Sequence, residues 1–152
     1  MACAIGSEFR KHYRAPTPDF APMIEPTLNY VLCPGSAAPP VAPDRAPAPA
    51  QQHRMAYWEW NATGNPAHPH VVVCVHGLSR QGRDFDTLAR ALSAHARVVC
   101  PDVVGRGQSD WLADPMGYQI PQCAGDMLAL LAQLHQQGAI ATLDWVGTSM
   151  GG

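Results

Sequence analysis

A serine between two glycines is the feature of this chain with the clearest chemistry: Gly147, Ser149 and Gly151 form a G-x-S-x-G pattern. Such a pattern is typical of a sharp turn from a strand into a helix, where a strained serine presents its hydroxyl above the sheet. The glycines let the strand and the helix approach closely, and the β-prone residues 141–146 supply the strand. We therefore predict that Ser149 is a nucleophile for acyl transfer, with the backbone N–H of Met150 free beside it.

A second segment with chemistry follows an unbroken apolar run at residues 71–75, which predicts a fully buried strand. The run leads into His76, Gly77 and Leu78. Acyl transfer needs a second backbone donor from the loop after an earlier strand, and the Leu78 N–H is the candidate. His76 is disfavoured as the general base, because the base follows the serine along the chain in this architecture. We interpret His76 as a residue whose hydrogen bonds shape the oxyanion loop.

A third segment is a glycine-punctuated loop that follows a predicted buried strand starting at Arg97. Its Gly105 and Gly107 have a spacing that also occurs in phosphate-binding loops. A dinucleotide-binding loop needs a third glycine at a fixed spacing, and a P-loop needs Gly-Lys followed by Ser or Thr; neither is found in the chain. We therefore expect no nucleotide binding and predict no cofactor.

Taken in this order, the three segments resemble the α/β-hydrolase superfamily. The matching residues are 76–78, 102–109 and 147–152. The resemblance covers roughly residues 53–152 and implies Ser149 as the nucleophile, with Leu78 and Met150 supplying the oxyanion-hole amides. It also implies an acidic residue and then a histidine after the elbow, whereas the sequence has no residue after Gly152. We therefore interpret the chain as an amino-terminal fragment of a serine hydrolase, inactive by itself.

The elements between these segments predict the fold. An aromatic strand over residues 54–60 precedes the buried strand as an early antiparallel element. Helices are expected over residues 84–94 and 121–136, each between two strands, which favours a parallel sheet with right-handed crossovers. The predicted fold class is α/β: a partial α/β-hydrolase fold with a mostly parallel sheet, an early antiparallel element and flanking helices.

Both predicted helices have apolar residues spaced to form one buried face. The first face consists of Phe85, Leu88, Ala89 and Leu92; the second consists of Ala124, Met127, Leu128, Leu131 and Leu134. Asp84 is the expected N-cap of the first helix. Pro121 suits the first turn of the second helix, and Gly138 is expected to end it.

A change in composition divides the chain near residue 52. Ten of the 15 prolines fall within residues 1–50, and a Pro/Ala-rich stretch is short of backbone donors and bulky apolar groups. Residues 1–52 are therefore expected to form a mobile arm and linker, and residues 53–152 to form the amino-terminal part of the domain. Residues 6–9 also look like a sequence encoded by cloning linkers.

The composition is that of one globular unit: 152 residues, 47% apolar, with a formal charge of −2. This charge gives no bias toward nucleic acid or a membrane, and neither a targeting segment nor a membrane-length apolar run is evident. The five cysteines have no paired spacing and the seven histidines are dispersed. We expect reduced thiols, a cytoplasmic setting and no metal site.

The expected partner is a small acyl substrate, and its identity stays open. A serine at the elbow favours an ester, thioester, lactone or carbon–carbon bond. Two roles are open for Arg80 and Arg83: they either bind an anionic substrate group or are solvated charges. Two roles are also open for Trp111 and Leu112, which either line the acyl pocket or pack against other side chains of the protein. Two alternatives to hydrolysis remain: a short non-catalytic chain that binds a partner, and an acyltransferase of the same fold.

Overall fold

Five strands form one mixed sheet in a computed structural model that describes residues 24–35 and 51–152. The strands are β1 (Thr27–Cys33), β2 (His53–Trp60), β3 (His70–Val75), β4 (Arg97–Pro101) and β5 (Thr142–Gly147). Their spatial order is β1-β2-β4-β3-β5. β2 pairs antiparallel with both β1 and β4, whereas β3 pairs parallel with both β4 and β5. The predicted α/β class with an early antiparallel element is confirmed.

The centre of the sheet is β3 beside β4, and after their polar first residues, His70 and Arg97, both strands consist of buried apolar residues. Val72 pairs with Val98 and Val73 with Val99, in parallel register. All four valines are buried. Because β-branched residues covered on both faces favour a central parallel strand, the sequence places these two strands correctly.

Side chains alternate across the sheet and form two apolar layers. One layer contains Val71 and Val73 together with Leu130 and Leu134 of the second helix. The other contains Val72, Cys74, Val98, Cys100 and, from the first helix, Ala89. The helices therefore cover opposite faces of the sheet.

The first helix, α1 (Asp86–Leu92), is shorter than predicted because a 3₁₀ helix (Gly82–Phe85) precedes it. The prediction that Asp84 is the N-cap is wrong, because Asp84 lies inside this 3₁₀ helix. Its carboxylate pairs with Arg80 instead. Ala89 is buried as expected, but Leu88 is exposed. A 3₁₀ turn has three residues instead of 3.6, so it rotates the following helix away from the phase that the sequence pattern predicts.

The second helix, α2 (Ile120–Gln137), agrees with the predicted bounds within one residue, with Pro121 in its first turn and Gly138 as the C-cap. Its buried face agrees with the predicted one at Met127 and Leu134 and differs from it at the other positions. The buried residues are Gln122, Asp126, Met127, Leu130 and Leu134, whereas Ala124 and Leu128 are exposed and Leu131 is partly buried. The helix turns two polar side chains inward, because they find hydrogen-bond partners on β2 and after β1.

β1 lies within the part of the chain that composition assigned to the arm and linker. It pairs with β2 over its full length, from Thr27 opposite Glu59 to Cys33 opposite His53. The sheet therefore begins before residue 53. Composition did not reveal β1, because Leu32 on its open face is as apolar as the buried Val31, so the strand lacks clear alternation.

The structure does not describe residues 1–23 and 36–50. The predicted mobility of the arm and linker in these ranges, and the interpretation of residues 6–9 as a cloning linker, therefore concern residues outside the described part of the chain. Neither helix in the described ranges has the combination of length and apolar character needed to cross a membrane.

Candidate active site

Ser149 occupies the turn between β5 and a short 3₁₀ helix (Ser149–Gly151). Its φ is +53°, and no other non-glycine residue in the described ranges has a positive φ. An L-residue in this left-handed region costs about 1–2 kcal/mol, so the surrounding structure must hold it there. Such a strained serine after a strand is the geometry of a nucleophile elbow.

The two glycines that flank Ser149 allow very close backbone approaches. A Cβ atom on Gly147 would lie 2.1 Å from the Gly151 carbonyl oxygen. A Cβ atom on Gly151 would lie 2.2 Å from the Val75 carbonyl oxygen. Since real Cβ atoms do not approach backbone oxygens so closely, only glycine fits either position without a backbone shift.

The loop after β3 packs directly against the elbow. The Thr148 N–H donates to the Val75 carbonyl over 3.1 Å, and a Cβ atom on Gly77 would lie 3.4 Å from the Ser149 Cβ. The next residue, Leu78, has a backbone N–H that donates to no group in residues 24–35 and 51–152. The fold therefore brings a free backbone donor into the loop beside Ser149.

Met150, the other predicted donor, stands in the first turn of the short 3₁₀ helix that begins at Ser149. Backbone N–H groups in the first turn of a helix have no partner within that helix. The structure therefore places both predicted oxyanion donors, Leu78 and Met150, on the two segments that meet at Ser149.

His76 is fully buried and holds two loops together. Its Nε2 accepts a hydrogen bond from the Val103 N–H over 2.9 Å. Nδ1 must therefore carry the proton, which it donates to the Gly77 carbonyl over 2.7 Å. Because both ring nitrogens are engaged with the backbone, neither is open to take a proton from Ser149. This geometry agrees with the loop-shaping interpretation.

Asp102, directly after β4, is a buried carboxylate that organises the adjacent loop. Its Oδ1 accepts from the Gly82 N–H over 2.7 Å, and its Oδ2 accepts from the Gln108 N–H over 2.9 Å. The Trp58 indole N–H donates to the same Oδ2 over 3.2 Å. An acidic residue immediately after a buried strand is the sequence signal by which Asp102 could have been identified.

Comparisons with known proteins identify the family to which this fold belongs. A family model described as the alpha/beta hydrolase fold matches residues 70–152, which is more than half of the chain. The chain belongs to the α/β-hydrolase family. The match begins with β3 and contains both loops and the elbow.

Individual proteins are also similar to the chain. A 3-hydroxybutyrate-oligomer hydrolase from Cupriavidus necator is 55% identical over 117 residues, which are 77% of this chain and 38% of that protein. A crystal structure of an alpha/beta hydrolase from Novosphingobium aromaticivorans has 33% identity and a TM-score of 0.61, covering 85% of this chain and 37% of that one. A thermophilic esterase from Thermogutta terrifontis, with 21% identity and a TM-score of 0.57, covers 81% and 37% and is similar in fold alone. The chain thus spans less than two fifths of the length of each of these relatives.

The structure gives the two arginines after the oxyanion loop different surroundings. Arg83 forms a bidentate ion pair with Asp86, and its guanidinium carbon lies 4.7 Å from the centre of the Trp58 ring. The hydrogen bond to Asp86 raises the pKa of Arg83. The contacts with Asp86 and Trp58 therefore account for the Arg83 side chain. Arg80 is mostly exposed and pairs with Asp84 over 2.5 Å.

Trp111 and Leu112, the two candidates for lining the acyl pocket, differ in their burial. Trp111 is 76% exposed and makes an edge contact with Tyr118, with ring centres 6.5 Å apart. Leu112 is partly buried and packs against the core layer that contains α2. Packing therefore accounts for Leu112, whereas Trp111 stays open to a ligand.

Three buried residues, Cys33, His53 and Asp126, carry potential metal-ligand atoms within 4.8 Å of one another. They lie on β1, β2 and α2, toward the edge of the sheet opposite β5. Within this group, His53 Nε2 and Asp126 Oδ2 are 3.0 Å apart and form a hydrogen bond. Burial raises the pKa of the Cys33 thiol to about 12, with a further rise from Asp126. The His53–Asp126 hydrogen bond joins β2 to α2 within this cluster.

Proposed function

We propose that this chain carries the nucleophile and oxyanion hole of a serine hydrolase that cleaves carboxylic esters. The observation that carries the proposal is the conformation of Ser149, a non-glycine residue at positive φ beside a loop with a free backbone donor. A hydroxyl held at such a turn next to unpaired N–H groups is suited to attack on a carbonyl group.

In the proposed reaction, Ser149 Oγ attacks the ester carbonyl carbon and its proton passes to a general base. The N–H groups of Leu78 and Met150 donate to the oxygen that becomes negatively charged. The tetrahedral intermediate collapses, the alkoxide takes the proton and leaves as an alcohol, and the acyl group stays on Oγ. Water then attacks the acyl-enzyme, which releases a carboxylic acid and restores the serine.

We place the base and its acidic partner in a longer protein. The resemblance to the family implies an acid and a histidine after the elbow, and the 38% coverage of the Cupriavidus relative leaves room for both. His76 is unsuited to this task because the backbone engages both of its ring nitrogens.

The substrate class that we propose is a short oligoester of a hydroxy acid. The support is the 55% identity to a protein named as a 3-hydroxybutyrate-oligomer hydrolase, over a region that includes most of the described chain. Thioesters, lactones and carbon–carbon bonds are the alternatives that share the acyl-enzyme route.

A fluorophosphonate probe tests the proposed nucleophile, because such probes phosphonylate activated serines. In the full-length protein we expect the label on the peptide that contains Ser149. A Ser93→Ala variant, which removes a serine outside the candidate site, should still be labelled, whereas Ser149→Ala should not. Label on another serine, or none on the native protein, would refute the assignment.

A further inference from the structure

Arg106 is a partly buried arginine whose charge is not matched by a carboxylate among the residues that the structure describes. Ion pairs with Asp or Glu are formed by Arg54, Arg80, Arg83 and Arg97, whereas Arg90 resembles Arg106 in having none among the described residues. Withdrawing a guanidinium from water without an anionic partner is unfavourable, so an unmatched arginine near a candidate active site points to a ligand.

The fold fixes the orientation of Arg106. Its Nε donates to the Leu78 carbonyl over 2.9 Å, and its Nη1 donates to the Val104 carbonyl over 2.8 Å. The guanidinium carbon also lies 5.9 Å from the centre of the Tyr118 ring. These contacts use two of the five N–H groups of a guanidinium and leave Nη2 without a partner in residues 24–35 and 51–152.

Arg106 opens into a surface cleft of about 380 Å³. Arg80, Asp84 and Trp111 also line this cleft. The carboxylate of Asp84 pairs with Arg80, so the charge of Arg106 is left in excess. Trp111 contributes a broad apolar surface, since 76% of it is exposed. The cleft thus combines one uncompensated positive charge with an aromatic wall.

One residue, Leu78, belongs to the candidate oxyanion hole and also contacts Arg106, which lines the cleft. The N–H of Leu78 is the free donor beside Ser149, and the carbonyl of Leu78 accepts the hydrogen bond from Arg106. Arg106 therefore contacts the same residue that carries the candidate oxyanion donor beside Ser149.

We propose that the cleft is a subsite for a substrate carboxylate, held by Arg106. The inference rests on the proposed function, because a hydroxy-acid oligoester has a free carboxylate at one end and apolar carbon groups along its length. A guanidinium with fixed orientation is suited to bind that carboxylate, and the Trp111 ring is suited to cover the carbon chain. Arg106 would then select substrates with an acidic end next to the ester that is cut.

Direct binding tests the subsite without turnover. The full-length protein with Ser149→Ala is titrated in a calorimeter with the linear dimer of 3-hydroxybutyrate, either as the free acid or as its methyl ester. We expect the acid to bind roughly 10- to 100-fold more tightly than the neutral ester, as for a charge-assisted hydrogen bond. Arg106→Gln in the same background should remove this preference.

Arg90→Gln is the matched control, because it removes the same charge from α1, where Arg90 does not line the cleft. It should retain the preference for the acid. Three results would overturn the proposal. The protein with only Ser149→Ala binds the acid and the ester equally, it binds neither, or the added Arg106→Gln change weakens the binding of both equally. The last result would mean that Arg106 only holds the two loops.

Turnover by the protein with Ser149 intact separates this inference from the proposed function. If no ester is hydrolysed while the acid still binds through Arg106, the hydrolase proposal fails and the subsite stands. If both dimers are hydrolysed with the same kcat/KM, the hydrolase proposal stands and the subsite fails.

Discussion

The Val103 N–H donates a hydrogen bond to His76 Nε2 over 2.9 Å, and this contact joins the loop after β3 to the loop after β4. The opposite ring nitrogen fixes the Gly77 carbonyl, directly before the candidate oxyanion donor Leu78. A single buried imidazole thus sets the conformation of the loop that faces Ser149. Its role is to position backbone groups, and it does so with a defined tautomer.

The hydrogen bonds of His76 give the first prediction, which concerns both its tautomer and its contribution to stability. Because the Val103 N–H needs an acceptor at Nε2, the proton of the neutral ring must be on Nδ1. Nitrogen-15 NMR of the ring should therefore report a protonated Nδ1 and a bare Nε2. A proton on Nε2 of the neutral ring would contradict the hydrogen-bond pattern.

Replacing His76 with alanine leaves the buried Val103 N–H without its acceptor. We expect the free energy of unfolding to fall by about 1–3 kcal/mol from this loss, apart from the cavity that the ring leaves. His76→Asn, which can offer one acceptor, should recover part of the loss. Chemical denaturation of both variants gives the comparison, and an alanine variant as stable as the native protein would exclude the proposed positioning role.

The second prediction concerns the glycines of the elbow. Gly147→Ala and Gly151→Ala place a methyl group about 2 Å from a backbone oxygen, so the turn must shift. We expect each variant to lose several-fold or more in kcat, as misplacement of a nucleophile does, and to unfold at lower denaturant.

Gly125→Ala is the control for these variants, because a methyl group at Gly125 in α2 would meet nothing within 4 Å outside the backbone of its own helix. Alanine there should stabilise the helix by about 0.5–1 kcal/mol and leave kcat unchanged. Elbow variants with native kcat and stability would show that the turn tolerates side chains, contrary to the close approaches in the structure.

The third prediction is a loss of stability at alkaline pH that comes from Cys33. Burial raises the pKa of this thiol to about 12 from the ordinary value of 9.0, so the folded protein holds the proton that the unfolded chain releases. The resulting stabilisation is complete below pH 9.0 and is lost as the pH rises toward 12.

Urea midpoints at about pH 8 and about pH 10.5 measure this effect. The native protein should lose more stability between the two than Cys33→Ala, which lacks the thiol. Identical losses in both proteins would mean that Cys33 does not contribute to the pH dependence. Comparing the two proteins removes the contribution of the other cysteines, since Cys100 and Cys123 also have raised pKa values.

The sequence predicts the central elements well because their patterns are local. Buried, valine-rich segments form most of β3 and β4, and α2 has Pro121 in its first turn and Gly138 as its C-cap, so each element is readable without its neighbours. The strand-turn arrangement around Ser149 follows from two glycines at fixed positions. These features depend on backbone sterics and side-chain burial over a few residues.

The features that the sequence did not predict depend on distant partners. β1 is held by pairing with β2, and its side chains alone do not alternate clearly. The buried face of α2 is turned by Asp126, whose partner His53 is 73 residues away in the chain. Arg106 has no sequence signal, since only the fold shows which carbonyls it meets. Hydrogen bonds between residues that are distant in the chain thus determine the features that the sequence patterns did not predict.

Trapping the acyl-enzyme tests the central claim most directly. The full-length protein is mixed with a p-nitrophenyl ester of 3-hydroxybutyrate, quenched with acid at early times and digested, and its peptides are weighed by mass spectrometry. We predict one hydroxybutyryl group on the peptide that contains Ser149, and none after Ser149→Ala. Turnover of the ester without an adduct on Ser149, or an adduct that persists in the alanine variant, would contradict the account.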